Sequence, residues 1–121
     1  MGQLLRIDSL AGLFVGTGML LSHGWLSALY EQPVWFVLMI ALINLAYGSV
    51  SFMLRRTWPH TPRRAVWALA GANMFWGVVC LVLAAFTHGQ SSVFGTLALV
   101  GEAAFVGGLG LQEWRTLRRG A

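Results

Sequence analysis

The chain has 121 residues, of which 57% are hydrophobic and 10% are charged, and its mean hydropathy is +0.69. Soluble domains carry about 25% charged residues, so this composition excludes an ordinary soluble domain. The net charge of +4 does not indicate a nucleic-acid partner, because all eight cations are arginines that lie only at predicted helix ends and in one loop.

Long apolar runs follow one another along the chain, at about residues 7–29, 33–54, 63–87 and 92–115. A helix needs about 20 residues to cross a bilayer, and each run is long enough. The runs are continuous and do not alternate between apolar and polar residues, which excludes the strands of a membrane β-barrel. We therefore predict an all-α fold with four transmembrane helices, forming a single integral membrane domain over residues 1–121.

Local signals support the starts of these helices. The first run follows Arg6 and resembles a signal peptide, but it is long, has no A-x-A-like cleavage site and precedes three more runs, so we predict a retained helix. Pro33 begins the second run and Pro62 directly precedes the third, positions where the missing proline N–H does no harm. Ser91 or Ser92 is a candidate N-cap for the fourth run.

The connections between the runs are short, which predicts antiparallel neighbours and an up-down four-helix bundle. The arginines then give the orientation, because arginine is enriched in cytoplasmic loops. All of them fall on one side of this topology: Arg6, Arg55, Arg56, Arg63, Arg64, Arg115, Arg118 and Arg119. We predict that both termini are cytoplasmic and that the protein is a multi-pass protein of the inner (plasma) membrane.

Polar residues occur near the middle of three predicted helices. Asn44, Asn73 and Glu102 are spaced by 29 residues each and are expected within about one turn of the same depth. An aromatic residue follows each asparagine by three positions, Tyr47 and Trp76 respectively. The spacing is consistent with the remnant of an inverted repeat, as in small transporters, and equally with chance.

Glu102 is the only charged residue between Arg64 and Glu113. A charge at the centre of a membrane helix costs roughly 2.5–3.5 kcal/mol, so this carboxyl needs a proton or a partner. One interpretation is an ion or proton site with Asn44 and Asn73 as polar partners. The other is a neutral side chain that only holds helices together through hydrogen bonds.

Other candidate site residues are less specific. His23 is predicted about 8 Å outward of the polar layer, where it could relay protons, bind a metal with Glu31 and His88, or simply hydrogen-bond across the bundle. Tyr47 and Trp76 could stack on a ligand or pack in the core. We interpret Asp8 as a charge near the N-terminal end of the first helix, close to the cytoplasmic interface. We predict no metal site, no cofactor and no enzymatic activity.

The leading functional hypothesis is a small transporter or channel-like protein with Glu102 as its proton or cation site. Its expected partners are the lipid bilayer and either further copies of itself or another membrane subunit. One alternative is an accessory protein that binds a partner through the small-residue pairs Gly12-x-x-x-Gly16 and Ala104-x-x-x-Gly108. Another is a binder of an apolar ligand such as a lipid or quinone, using Tyr47, Trp76 and Phe105.

Overall fold

The structure, a computed structural model, describes residues 1–119, and these form helices joined by short loops. The helices are α1 Gly2–Leu21, α2 His23–Tyr30, α3 Val34–Thr57, α4 Arg63–Thr87 and α5 Val93–Arg118. No strand occurs in this part of the chain, which confirms the all-α prediction. All but α2 are long and apolar enough to cross a membrane.

The first predicted helix is divided at Ser22, the residue between α1 and α2. Its backbone has φ −110° and ψ 17°, outside the helical region. Two side chains compete here for backbone carbonyls: the Ser22 hydroxyl donates to Gly18 O at 2.5 Å, and His23 Nδ1 lies 2.7 Å from Leu20 O. Such side-chain bonds to preceding carbonyls bend helices, which explains why one apolar run gives two helices.

Helix α1 packs closely against α3, and glycines make the approach possible. A Cβ built on Gly12 would lie 2.8 Å from backbone atoms of Asn44 and Gly48, and one built on Gly16 would lie 2.9 Å from the Leu45 nitrogen. Real Cβ atoms do not come this close to a backbone. The two helices therefore need hydrogen in place of a side chain at these positions. Because the later glycine of α1 meets the earlier residues of α3, the helices run in opposite directions.

Helices α4 and α5 form a second pair of the same kind. A Cβ on Gly77 would lie 3.1 Å from Gly107 Cα, and one on Gly110 would lie 2.8 Å from Ala70 O. The arginine-bearing ends of this pair are also joined. Arg63 donates to the Leu117 carbonyl, and the rings of Trp67 and Trp114 meet edge to face at 6.3 Å.

The two helix pairs touch each other less closely than the helices within each pair. A core cluster joins them, formed by Phe36, Ile40, Trp76, Cys80, Ala84, Leu99 and Ala103. At the other end from the arginines, Ser92 connects α5 to α2: its backbone N–H donates to Tyr30 O at 2.9 Å and its hydroxyl donates to Leu29 O at 2.7 Å. These contacts leave an interior space between the pairs.

Large apolar side chains cover the outer surface. Phe14 is 83% exposed, Leu21 is 81% exposed and Phe86 is 79% exposed. In water such a surface would drive aggregation, whereas in hydrocarbon it is unpenalised. Together with the four long apolar helices, this exterior indicates a membrane protein.

Candidate functional site: a polar cavity between two helix pairs

A cavity of about 300 Å³ lies between the two helix pairs. It gathers most of the site residues predicted from the sequence, namely Asn44, Tyr47, Asn73, Trp76 and Glu102, and adds Asp8. The rest of its wall is mainly apolar and includes Met19, Ile40 and Phe105. Apolar walls with a few converging polar groups are typical of sites for small ligands.

The cavity reaches the surface between α1 and α5. Val15 on α1 and Phe105 on α5 both line it, yet they are 45% and 48% exposed on the outside of the chain. Gly101 lines the same edge and is also exposed. Since this face of α1 and α5 is otherwise apolar, the opening points sideways, into the region that hydrocarbon would occupy in a membrane.

The Glu102 carboxyl makes few and weak hydrogen bonds with the protein. Trp76 Nε1 donates to its Oε1 at 3.5 Å, the long limit for a hydrogen bond. The Asn44 amide lies beside the same carboxyl, but its Nδ2 donates to Ile40 O at 2.9 Å within its own helix. A carboxyl group with so few protein partners, in the wall of a cavity, is free to accept a hydrogen bond or an ion pair from a ligand.

Asn73 has different partners from those expected. Its Nδ2 donates to Asp8 Oδ2 at 2.8 Å and to Glu113 Oε1 at 2.9 Å, and no hydrogen bond joins it to Glu102 within the described residues. The reason is the register of α4 and α5. Their glycines meet at Gly77 and Gly107, so Asn73, one turn before Gly77, lies opposite the residues just beyond Gly110 and not opposite Glu102.

The cluster of Asp8, Asn73 and Glu113 was not foreseen as a site. The sequence predicts Asp8 as a charge at the helix end near the interface, but only 6% of its surface is exposed, against 1% for Asn73 and 0% for Glu113. A sequence signal did exist, because residues four or three apart share a helix face. Asp8 shares the face of Gly12 and Gly16, and Glu113 shares that of Gly110, the glycines that pack each pair.

Two further candidates have local roles. His23 does not line the cavity, and its ring bonds to a carbonyl of the preceding turn at 2.7 Å. Tyr47 does line the cavity, and its hydroxyl donates to Ala72 O at 2.9 Å, which connects α3 to α4. Among the residues that the structure describes, no group of three His, Cys, Asp or Glu side chains is arranged to hold a metal ion.

No protein-family model, curated protein or solved structure matches this chain. Its function is therefore inferred from the cavity and the side chains that line it.

Proposed function

We propose that the protein is a small transporter of the inner membrane that takes an organic cation into the cavity between its helix pairs. In this proposal the four long helices cross the membrane as an up-down bundle with both termini in the cytoplasm, since all eight arginines then lie on that side. The observation that carries the functional proposal is the position of Glu102, a weakly bonded carboxyl in the wall of a mainly apolar cavity.

The wall chemistry favours a cation with an apolar part. Trp76, Tyr47 and Phe105 line the cavity together with Glu102. Aromatic faces attract cations by about 2 kcal/mol or more where water is excluded, and a carboxylate adds a full opposite charge. A positively charged ligand also neutralises Glu102, which removes the cost of a buried charge. An anion would meet Glu102 and Asp8 with no arginine in the cavity wall to offset them.

The sideways opening supports a second candidate, the binding of a neutral apolar ligand such as a lipid or quinone. A ligand dissolved in the membrane would enter between Val15 and Phe105 without crossing water. The two candidates differ in their need for Glu102. Binding of a cation depends on the negative charge of Glu102, whereas binding of a neutral ligand depends on the apolar wall.

The accessory-subunit alternative receives less support for α1. Gly12 and Gly16 already pack against α3 within the chain, so they are not available to another protein.

On α5, Ala104 is exposed and a Cβ on Gly108 would meet nothing within 4 Å. We also propose that a bundle of this small size forms oligomers. This face of α5 then allows the closest approach of a second copy of the chain. Cross-linking of the Gly108→Cys, Cys80→Ser variant in membranes would give a dimer; a monomer only would refute this contact.

The test of the transport proposal uses two probes of nearly the same shape. Benzyltrimethylammonium carries a positive charge, and neopentylbenzene is its neutral counterpart. We expect the purified protein in detergent to bind the cation, with quenching of tryptophan fluorescence, and to bind the neutral compound more weakly. Glu102→Gln keeps the shape of the side chain and should lower cation affinity by at least about tenfold, which corresponds to 1.4 kcal/mol.

The control variant is Glu31→Gln, which removes a carboxylate from a loop residue outside the cavity and should leave both affinities unchanged. Stronger binding of neopentylbenzene, unaffected by Glu102→Gln, would favour the neutral-ligand candidate and reject the cation. Binding of the cation should also be followed by its uptake into proteoliposomes. If the cation binds but is never taken up, the protein is a binding protein and the transport part of the proposal fails.

A further inference from the structure

The cluster of Asp8, Asn73 and Glu113 contains two buried carboxyl groups that share one hydrogen-bond donor. Both accepting oxygens lie within 2.9 Å of Asn73 Nδ2, so they cannot be more than about 6 Å apart, a distance at which two negative charges repel strongly in a low-dielectric interior. Within the described residues no arginine bonds to either carboxyl. The guanidinium of Arg63 donates instead to the backbone carbonyl of Leu117, which lies one turn beyond Glu113 on α5.

The cluster also contains buried polar atoms that have no partner. These are Glu113 Oε2 and Asn73 Oδ1, and the residues that carry them are 0% and 1% exposed. The Ser51 hydroxyl lies beside the Asp8 carboxyl. A buried polar atom without a hydrogen bond costs about 1–3 kcal/mol, so the cluster is incomplete as it stands. One proton bound to the carboxyl pair would supply both a donor and a compensating charge.

The cavity borders this cluster, and at about 300 Å³ it has room for several water molecules. Asp8 and Asn73 line the cavity, whereas Glu113 lies behind them and does not. The other titratable group near Asp8 is Tyr47, whose hydroxyl is already bonded to Ala72 O. Among the side chains that α1, α3, α4 and α5 contribute around the cluster, the acidic groups are therefore Asp8 and Glu113. Of these two, Asp8 is the one that lines the cavity.

We propose that Asp8, Asn73 and Glu113 form a proton-binding site, separate from Glu102, which exchanges protons with the cavity through Asp8. A hydronium ion in the cavity gives its proton to the pair and becomes water, and the charge of the pair changes from −2 to −1. Asn73 holds the two carboxyl groups together in both states. The site thus places a second titratable group at the arginine-bearing end of the ligand cavity.

Infrared difference spectroscopy of the purified full-length protein, recorded between low and high pH without any ligand, tests this assignment. A protonated carboxyl has a carbonyl stretch that shifts in heavy water. We expect one such band to be lost in Asp8→Asn and in Glu113→Gln, and to be kept in Glu102→Gln, which supplies the matched control. Because no ligand is used, the result is independent of the proposed transport function.

Two further measurements keep the test decisive if Asp8→Asn or Glu113→Gln folds poorly. Asn73→Ala retains both carboxyl groups, so the band should remain but its pH midpoint should move, since the shared donor is gone. The wild-type band should not respond to sodium chloride at constant pH. Retention of the band in both carboxyl variants, an unchanged midpoint in Asn73→Ala, or loss of the band on adding sodium ions would each overturn the proton assignment, the last in favour of a metal cation.

Discussion

Gly12→Ala is expected to destabilise the protein although it adds only one methyl group. The new Cβ would lie 2.8 Å from three backbone atoms of α3, contributed by Asn44 and Gly48. Backbone atoms cannot move aside as a flexible side chain can, so α1 and α3 must separate. Overpacking of this kind costs about 1–3 kcal/mol, and replacing glycine by alanine inside a helix recovers up to about 1 kcal/mol. If the full gain is realised, the net loss is up to about 2 kcal/mol.

The matched control is Gly18→Ala on the same helix, where an added Cβ meets nothing within 4 Å. It gains the helix propensity without the clash, so it should be neutral or up to about 1 kcal/mol more stable. Thermal unfolding of both variants in the same detergent compares them directly. Equal melting temperatures for the two variants, or a more stable Gly12→Ala, would refute the close packing of α1 on α3.

Three other perturbations have expected outcomes. A reporter inserted at Gly89 should be external and one fused to the C-terminal end cytoplasmic, because all eight arginines lie on one side of the predicted topology; an external C-terminal reporter rejects this orientation. Tyr47→Phe removes the hydrogen bond to Ala72 O and should lower thermal stability by about 0.6 kcal/mol, with no loss if that bond is absent. Asn73→Leu removes two bonds to carboxyl groups, each worth about 1.5–3 kcal/mol, and should destabilise more than Asn44→Leu, which removes one bond within its own helix.

Apolar runs locate helices well but do not mark where they end. The third predicted helix, 63–87, has the observed bounds of α4. In contrast, α3 continues to Thr57 and α5 to Arg118, beyond the predicted ends at 54 and 115. The extra turns carry arginines, which favour the negative end of the helix dipole and extend their charges toward water. The end of the apolar segment is therefore not the end of the helix.

The candidate site was predictable in part. Counting residues along apolar helices places Asn44, Asn73 and Glu102 near one depth, and these residues line one cavity together with Tyr47 and Trp76. The partners of Asn73 could not be obtained in this way. Counted from the loop between α4 and α5, Asn73 is 14 residues before Thr87 and Glu102 is nine after Val93, an offset of five residues or about 7.5 Å at 1.5 Å per residue.

Helix pairing decides what such an offset means. Gly77 and Gly107 fix the register of α4 on α5, and that register brings Glu113 to Asn73. Apolar length and spacing do not reveal which glycines will meet. The bend at Ser22 was missed for a related reason, since it depends on hydroxyl and imidazole bonds to single carbonyls that leave no trace in the hydropathy of the run.

The most direct test of the ligand cavity is the labelling of its carboxyl groups by dicyclohexylcarbodiimide, an apolar reagent that modifies protonated carboxyls, followed by mass spectrometry of the intact chain and its peptides. Glu102 lines the cavity near its sideways opening, whereas Glu113 is fully buried outside the cavity. The account predicts that Glu102 is modified, that benzyltrimethylammonium slows this modification, and that Glu113 is not modified. Modification of Glu113 with Glu102 untouched, or labelling of Glu102 at a rate that the cation does not change, would contradict a cation-binding cavity at Glu102.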